Sequence, residues 1–181
     1  MSRATTAARR YAEAAFETAL RDESVEAWRR ELDAAAAVLG DPGVAAGIHN
    51  PAIATASREE AVRSGLARNV SAPVLNLILF MIRRGRIEDL PRVAAEFGRL
   101  DDQRKGIVHA TATSATALEP TEIRALTARL EQMTGGTVEL NVTVDPGLLG
   151  GLVVRVGDRL IDGSVRGRLE RLRSQLVSGA L

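Results

Sequence analysis

The sequence predicts a mainly α-helical chain: an N-terminal six-helix bundle over residues 1–105, then a small α/β domain, a short sheet with two helices, over residues 106–181. Three observations lead there. Up to Lys105 apolar residues recur at helical spacing. At Gly106 the pattern changes to alternation with β-branched residues, the signature of strands. Apolar residues make up 45% of the chain but aromatics only 3%. The core is therefore built from Ala, Leu, Val and Ile, which suits close helix packing, and the chain can bury enough to fold.

The elements follow in order. Ala8, Ala12, Ala15, Phe16, Ala19 and Leu20 mark a helix from about Thr5 to Arg21. Ser24 is the expected cap of a second helix carrying Trp28, Leu32, Ala35 and Leu39 and ending at Gly40. Asp41-Pro42 opens a short third helix, and His49-Asn50-Pro51 breaks it. Ser57, with Glu60 three positions on, reads as the capping box of a fourth helix. A fifth starts at Ser71-Ala72-Pro73 and ends at Gly85, and a sixth runs from about Ile87 to Lys105. Short connections between six helices imply a bundle. Beyond Gly106, Ile107 to Ala115 reads as a strand and Pro120 to Thr134 as a helix with Ile123, Leu126 and Leu130 on one face. Val138, Leu140, Val142 and Val144 share one face of a second strand. Strands Leu152 to Val156 and Arg159 to Ile161 flank a Gly157-Asp158 hairpin turn. Ser164 caps a last helix with Val165, Leu169, Leu172 and Leu176 as its apolar stripe.

Charge excludes some functions. The net charge is +1, with 16 basic and 15 acidic residues up to Lys105 and 8 of each beyond. Neither part has the basic footprint of a nucleic-acid binder, and exposed aromatics for base stacking are scarce. There is no cysteine, hence no disulfide, thiolate metal site or cysteine nucleophile. The longest apolar run, Val74 to Ile82, is interrupted by Asn76 and is too short to span a bilayer, so no direct membrane insertion is expected. The opening MSRATTAARR lacks the apolar stretch of a cleaved targeting peptide.

Reactive constellations are not found, so no catalytic, cofactor-binding or metal residues are assigned. His49 and His109 lie in different predicted domains without ligand spacing, and read as structural or solvated. The pairs Asp101-Asp102 and Glu59-Glu60 are helix neighbours pointing about 100° apart, and read as solvated faces. Gly147 to Gly151 lacks the Gly-Lys-Ser/Thr of a phosphate loop and leads into a strand. The arginines of the last helix, Arg166, Arg168, Arg171 and Arg173, read as a solvated face. They also carry the competing reading, a nucleic-acid-binding or other helical adaptor module.

Two helices have more apolar surface than one buried face needs. On the fifth, Leu77, Met81, Val74, Ile78, Ile82 and Leu75 span about 160° of the helical wheel. Phe80 lies well off that arc, beside Asn76 and Arg83, and Leu79 lies at its edge. On the first helix Ala7, Tyr11, Ala14 and Thr18 form a second stripe, small residues around one aromatic that another helix can approach closely. Neighbouring helices of the bundle could equally take up both stripes.

Three segments carry a resemblance. ARRYAEAAFETAL from Ala8, NLILFMIRRGRIEDLPRVAAEF from Asn76 and, most specifically, GGLVVRVGDRLIDGSVRGRLERL from Gly150 resemble, in the same order, the delta subunit of the F-type ATP synthase, the family of the mitochondrial oligomycin-sensitivity-conferring protein. The single lysine is the main departure. The resemblance implies a non-catalytic stator subunit, one copy per complex and without cofactors, peripheral on the cytoplasmic face of the bacterial plasma membrane. It implies that a groove between the first and fifth helices receives the N-terminal helix of an alpha subunit. Tyr11, Ala14, Thr18, Asn76, Leu79 and Phe80 are the residues carried over to that groove. It also implies that the C-terminal domain binds the C-terminal end of the b-subunit stalk, without assigning those contacts to residues.

Overall fold

A computed structural model describes residues 3–50, 52–157 and 159–178; the side chains of residues 3–5, 172 and 176–178 also lie outside the described set. Pro51 of the expected break, Asp158 of the expected hairpin turn, and the Leu172 and Leu176 side chains of the last apolar stripe therefore fall outside it. The chain divides into two units between Asp101 and Asp102.

The first unit is helical: α1 (Arg3–Arg21), α2 (Val25–Gly40), α3 (Pro42–Ile48), α4 (Thr55–Leu66), α5 (Ala72–Arg83), a 3-10 turn (Ile87–Asp89) and α6 (Leu90–Arg104), whose last three residues lie beyond the division. On α1, Ala8, Ala12, Ala15 and Ala19 are buried, and small side chains let its backbone lie close to its neighbours. Leu20, expected on that face, is exposed instead. Larger residues fill the centre: Leu32 from α2, Val74, Ile78, Met81 and Ile82 from α5, and Leu90, Val93 and Phe97 from α6. Phe97 lies edge-on to Phe16 at 5.3 Å and stacks on Trp28 at 6.1 Å. Full burial of such a ring stabilises by about 1.5–3 kcal/mol.

Helix starts are more varied than expected. Asp41 caps α3 as predicted, its carboxylate accepting the Gly43 N–H at 2.9 Å. Ser24 makes no side-chain cap bond. Ser57 lies inside α4, which begins at Thr55, so the capping box with Glu60 does not form at the helix start. Arg58 fastens that end, donating to the Ile48 carbonyl and the Thr55 hydroxyl. At α5 the cap comes from another helix: Glu31 of α2 accepts both the N–H and the hydroxyl of Ser71, at 2.8 and 2.6 Å.

The second unit holds β1 (Ile107–Ser114), α7 (Pro120–Thr134), β2 (Thr137–Val144), a 3-10 turn (Pro146–Leu148), β3 (Leu152–Val156), β4 (Arg159–Asp162) and α8 (Val165–Ser178). The sheet order is β2-β1-β3-β4, with β1 and β2 parallel and the other pairs antiparallel. A parallel pair needs a crossover, which α7 supplies. In register, Val142 pairs with Ala112 and Ala112 with Val154. This face, with Ala110 and Val138, buries Leu130 of α7. The opposite face carries exposed His109, Thr111, Glu139 and Asn141. The observed architecture is thus the predicted one: about six helices, then a small mixed sheet with helices.

The β4–α8 corner is tightly built. Asp162 accepts the Ser164 N–H at 2.8 Å, and the Ser164 hydroxyl accepts the Gly167 N–H at 3.0 Å, the predicted cap. Gly151, at φ +82, lies so close to the Gly163 carbonyl that a Cβ would come within 2.6 Å of it. The Gly147–Gly151 segment therefore serves chain packing.

Candidate functional site: the surface between the first and fifth helices

The surface between α1 and α5 is set by which side of each helix faces the core. On α1 the buried alanines fix which side faces the core, leaving Ala7, Tyr11 and Thr18 half-buried and Ala14 exposed. The Thr18 hydroxyl donates back to the Ala14 carbonyl at 2.9 Å, leaving its methyl as added apolar surface. On α5, Asn76 and Phe80 are exposed, Phe80 by 43%. The Tyr11 and Phe80 rings meet edge to face, with centroids 6.1 Å apart and planes at 74°. The Arg84 guanidinium lies 5.1 Å from the Phe80 centroid, a cation–π geometry. The two ring contacts hold a large apolar side chain at the surface in one orientation.

Of the six expected groove residues, the structure brings Tyr11 and Phe80 into contact and leaves Ala14, Thr18 and Asn76 at least partly accessible. Leu79 is different: it is 3% exposed and belongs to the core. One turn on, Arg83 makes a two-pronged ion pair with Glu59 of α4, both contacts at 2.8 Å. That pair places α4 on the side of α5 where Leu79 lies. The hydrogen bond from Arg83 holds the Glu59 carboxyl below its usual pKa. Arg84, which no periodicity marks, sits one residue beyond Arg83 and carries the second contact to Phe80.

Other singled-out residues serve structure. Asp101 and Asp102, expected on a solvated face, are buried. Asp101 pairs with Arg29 of α2 at 3.1 Å. Asp102 Oδ2 lies 2.7 Å from His109 Nε2, whose other ring nitrogen is 3.3 Å from Glu139. Among the described residues no group of three or more His, Asp or Glu is placed to hold a metal ion, and no helix is long and apolar enough to cross a membrane.

The fold, a helical unit followed by a small mixed-sheet unit, defines the class of the chain. Comparisons with known proteins make this specific. The family described as ATP synthase delta (OSCP) subunit matches residues 7–176. The ATP synthase subunit delta of Citrifermentans bemidjiense is 34% identical over 174 residues, covering 95% of this chain and 97% of that protein. The same subunit from Xanthomonas euvesicatoria is 37% identical over 177 residues, covering 98% and 99%. A chain in the cryo-EM structure of the Toxoplasma gondii mitochondrial ATP synthase hexamer shares the fold, with a TM-score of 0.68 over 94% of this chain and 97% of that one, at 21% identity. The chain belongs to the ATP synthase delta (OSCP) subunit family. It is a non-catalytic stator subunit of an F-type ATP synthase, serving proton-driven ATP synthesis.

Proposed function

We propose that the chain holds the synthase head at two points. The helical unit, residues 1–105, receives the N-terminal helix of an alpha subunit in the α1–α5 groove, through Tyr11, Ala14, Thr18, Asn76 and Phe80, with Leu79 as the core residue of the same helix. The unit of residues 106–181 holds the C-terminal end of the b-subunit stalk. One copy serves each complex, peripheral on the cytoplasmic face of a bacterial plasma membrane; the bacterial source of the similar subunits supports that placement.

The observation that carries the reading is Phe80, 43% exposed yet fixed by Tyr11 and Arg84. A helix laid over it removes apolar surface from water at about 25 cal/mol per Å², less the cost of ordering the partner. The task is mechanical. Rotor torque acts on the head, and the stator resists it without chemistry. Two attachments on separate units reinforce each other, because the first raises the effective concentration of the second.

Titration of the full chain with an alpha-subunit N-terminal peptide tests the groove. Tyr11→Asp and Phe80→Asp are expected to keep native circular dichroism and to weaken binding by at least about 2 kcal/mol. Unfolding by Phe80→Asp would instead make that ring part of the core and displace the groove.

A further inference from the structure

Arg84 is held at a fixed point by the way α5 ends. The Gly85 N–H donates to the Ile82 carbonyl at 3.0 Å and the Arg86 N–H to the Met81 carbonyl at 2.8 Å. Gly85 sits at φ +63, the left-handed helix end that favours glycine. The Arg84 N–H donates back to the Phe80 carbonyl at 3.1 Å, and the Arg84 side chain lies over the Phe80 ring. A guanidinium that stacks by its face keeps its N–H donors along its edges.

The neighbouring arginines spend their charge inside the chain. Arg83 takes Glu59, and Arg86 and Arg92 share Asp89 at 3.7 and 3.3 Å. Arg84, by contrast, makes no ion pair among the described residues. On α1, Arg9 takes Glu13 at 2.8 Å, while Arg10, exposed and adjacent to Tyr11, makes no ion pair among the described residues either. The surface beside the two rings is therefore basic, in a chain whose net charge is only +1.

A partner that covers Phe80 also strips water from Arg84. Without an acceptor that loss weakens binding, whereas a carboxylate lying in the guanidinium plane makes a two-pronged, charge-assisted pair. Arg84 and Phe80 are one helical turn apart, so a helix laid across both places the carboxylate about one turn from the apolar residue on the ring. Ala7 and Ala14 beside Tyr11 are small enough to let a helix approach closely. A bilayer surface calls for a broader apolar face than one ring flanked by alanines.

We propose that Arg84 is the specificity-determining residue of the α1–α5 groove: stacked on Phe80, it takes an Asp or Glu side chain of the incoming helix, one turn from the apolar residue that covers the ring. This rests on the groove reading above and states the chemistry its occupant must carry. Burial of Phe80 supplies affinity, and the ion pair sets the register and direction of the helix.

The test is calorimetric titration of the full chain with the alpha-subunit N-terminal peptide from the same complex, at low salt and at about 1 M salt, where charge screening acts within about 3 Å. Arg84→Glu is expected to keep native circular dichroism and to weaken binding at least about tenfold at low salt, with the gap narrowing at high salt. Arg84→Gln is expected to lose less, because it removes attraction without adding repulsion. With each acid of the peptide exchanged in turn for Lys, one exchange is expected to restore binding to Arg84→Glu. Wild-type affinity in Arg84→Glu, with Phe80→Asp still impaired, overturns the pairing and leaves the groove reading intact. No binding by the wild type overturns both. A loss that is equal at both salts and restored by no peptide exchange makes Arg84 a support for the ring alone and overturns the pairing. Arg84-dependent binding to phosphatidylglycerol vesicles in place of the peptide overturns the helix occupant.

Discussion

Asp101 is wholly buried against Arg29, a partner 72 residues away in the chain. Asp101→Ala removes a buried acceptor of a charge-assisted hydrogen bond and is expected to destabilise the helical unit by about 1.5–3 kcal/mol, measured by urea unfolding. Nothing local in the sequence announced this pairing, which is why Asp101-Asp102 read as solvated. Phe80 was legible because its wheel position needs only the helical period. Leu79 was not, because a position at the edge of the apolar arc is buried or exposed according to where the next helix lies. The Glu59–Arg83 ion pair places α4 there, and that pairing is tertiary.

Among the elements, helix caps divide the same way. Asp41 caps through its own neighbours and was readable; Ser71 is capped by Glu31 of a different helix and was not. Three carboxylates also act unannounced in the second unit. Glu119 and Glu122 form a capping box on α7. Glu131 accepts the Val138 N–H at 3.2 Å, blunting one end of the β2 edge. The Ser164 corner was readable and makes a pH prediction. The Asp162 carboxyl lies below its ordinary pKa of 3.8, held there first by the Ser164 side chain and then by its N–H. Because the folded value is lowered, the stabilisation is complete above the ordinary value and lost as pH falls through the folded one. Ser164→Ala is expected to move the Asp162 titration upward, followed by carboxyl-carbon NMR, and to cost about 1 kcal/mol as a lost cap.

For the whole molecule, the change of pattern at Gly106 and the succession of elements were legible, because period is a property of each segment. Strand order was not. Alternation tells which face a residue takes, not which strand lies beside it, so β1 at the centre and parallel to β2 emerged only in the structure. Each unit has its own apolar cluster, a large one in the helices and a small one under the sheet. Two thermal transitions are therefore expected in scanning calorimetry, the sheet unit melting first. Phe97→Ala should lower only the second transition, by about 3–5 kcal/mol. A single transition shifted as a whole would show that the two units unfold together.

The stacking of Phe97 on Trp28 and its edge contact with Phe16 also bear on biosynthesis. The rings on α1 and α2 emerge from the ribosome well before their partner on α6. The gaps of about 80 residues from Phe16 and about 70 from Trp28 correspond to roughly 4–16 s of translation. Throughout that interval the nascent bundle lacks its central ring, and its apolar stripes stay open to chaperones and to neighbouring chains. A message cut short before the Phe97 codon would yield helices without the residue that joins them.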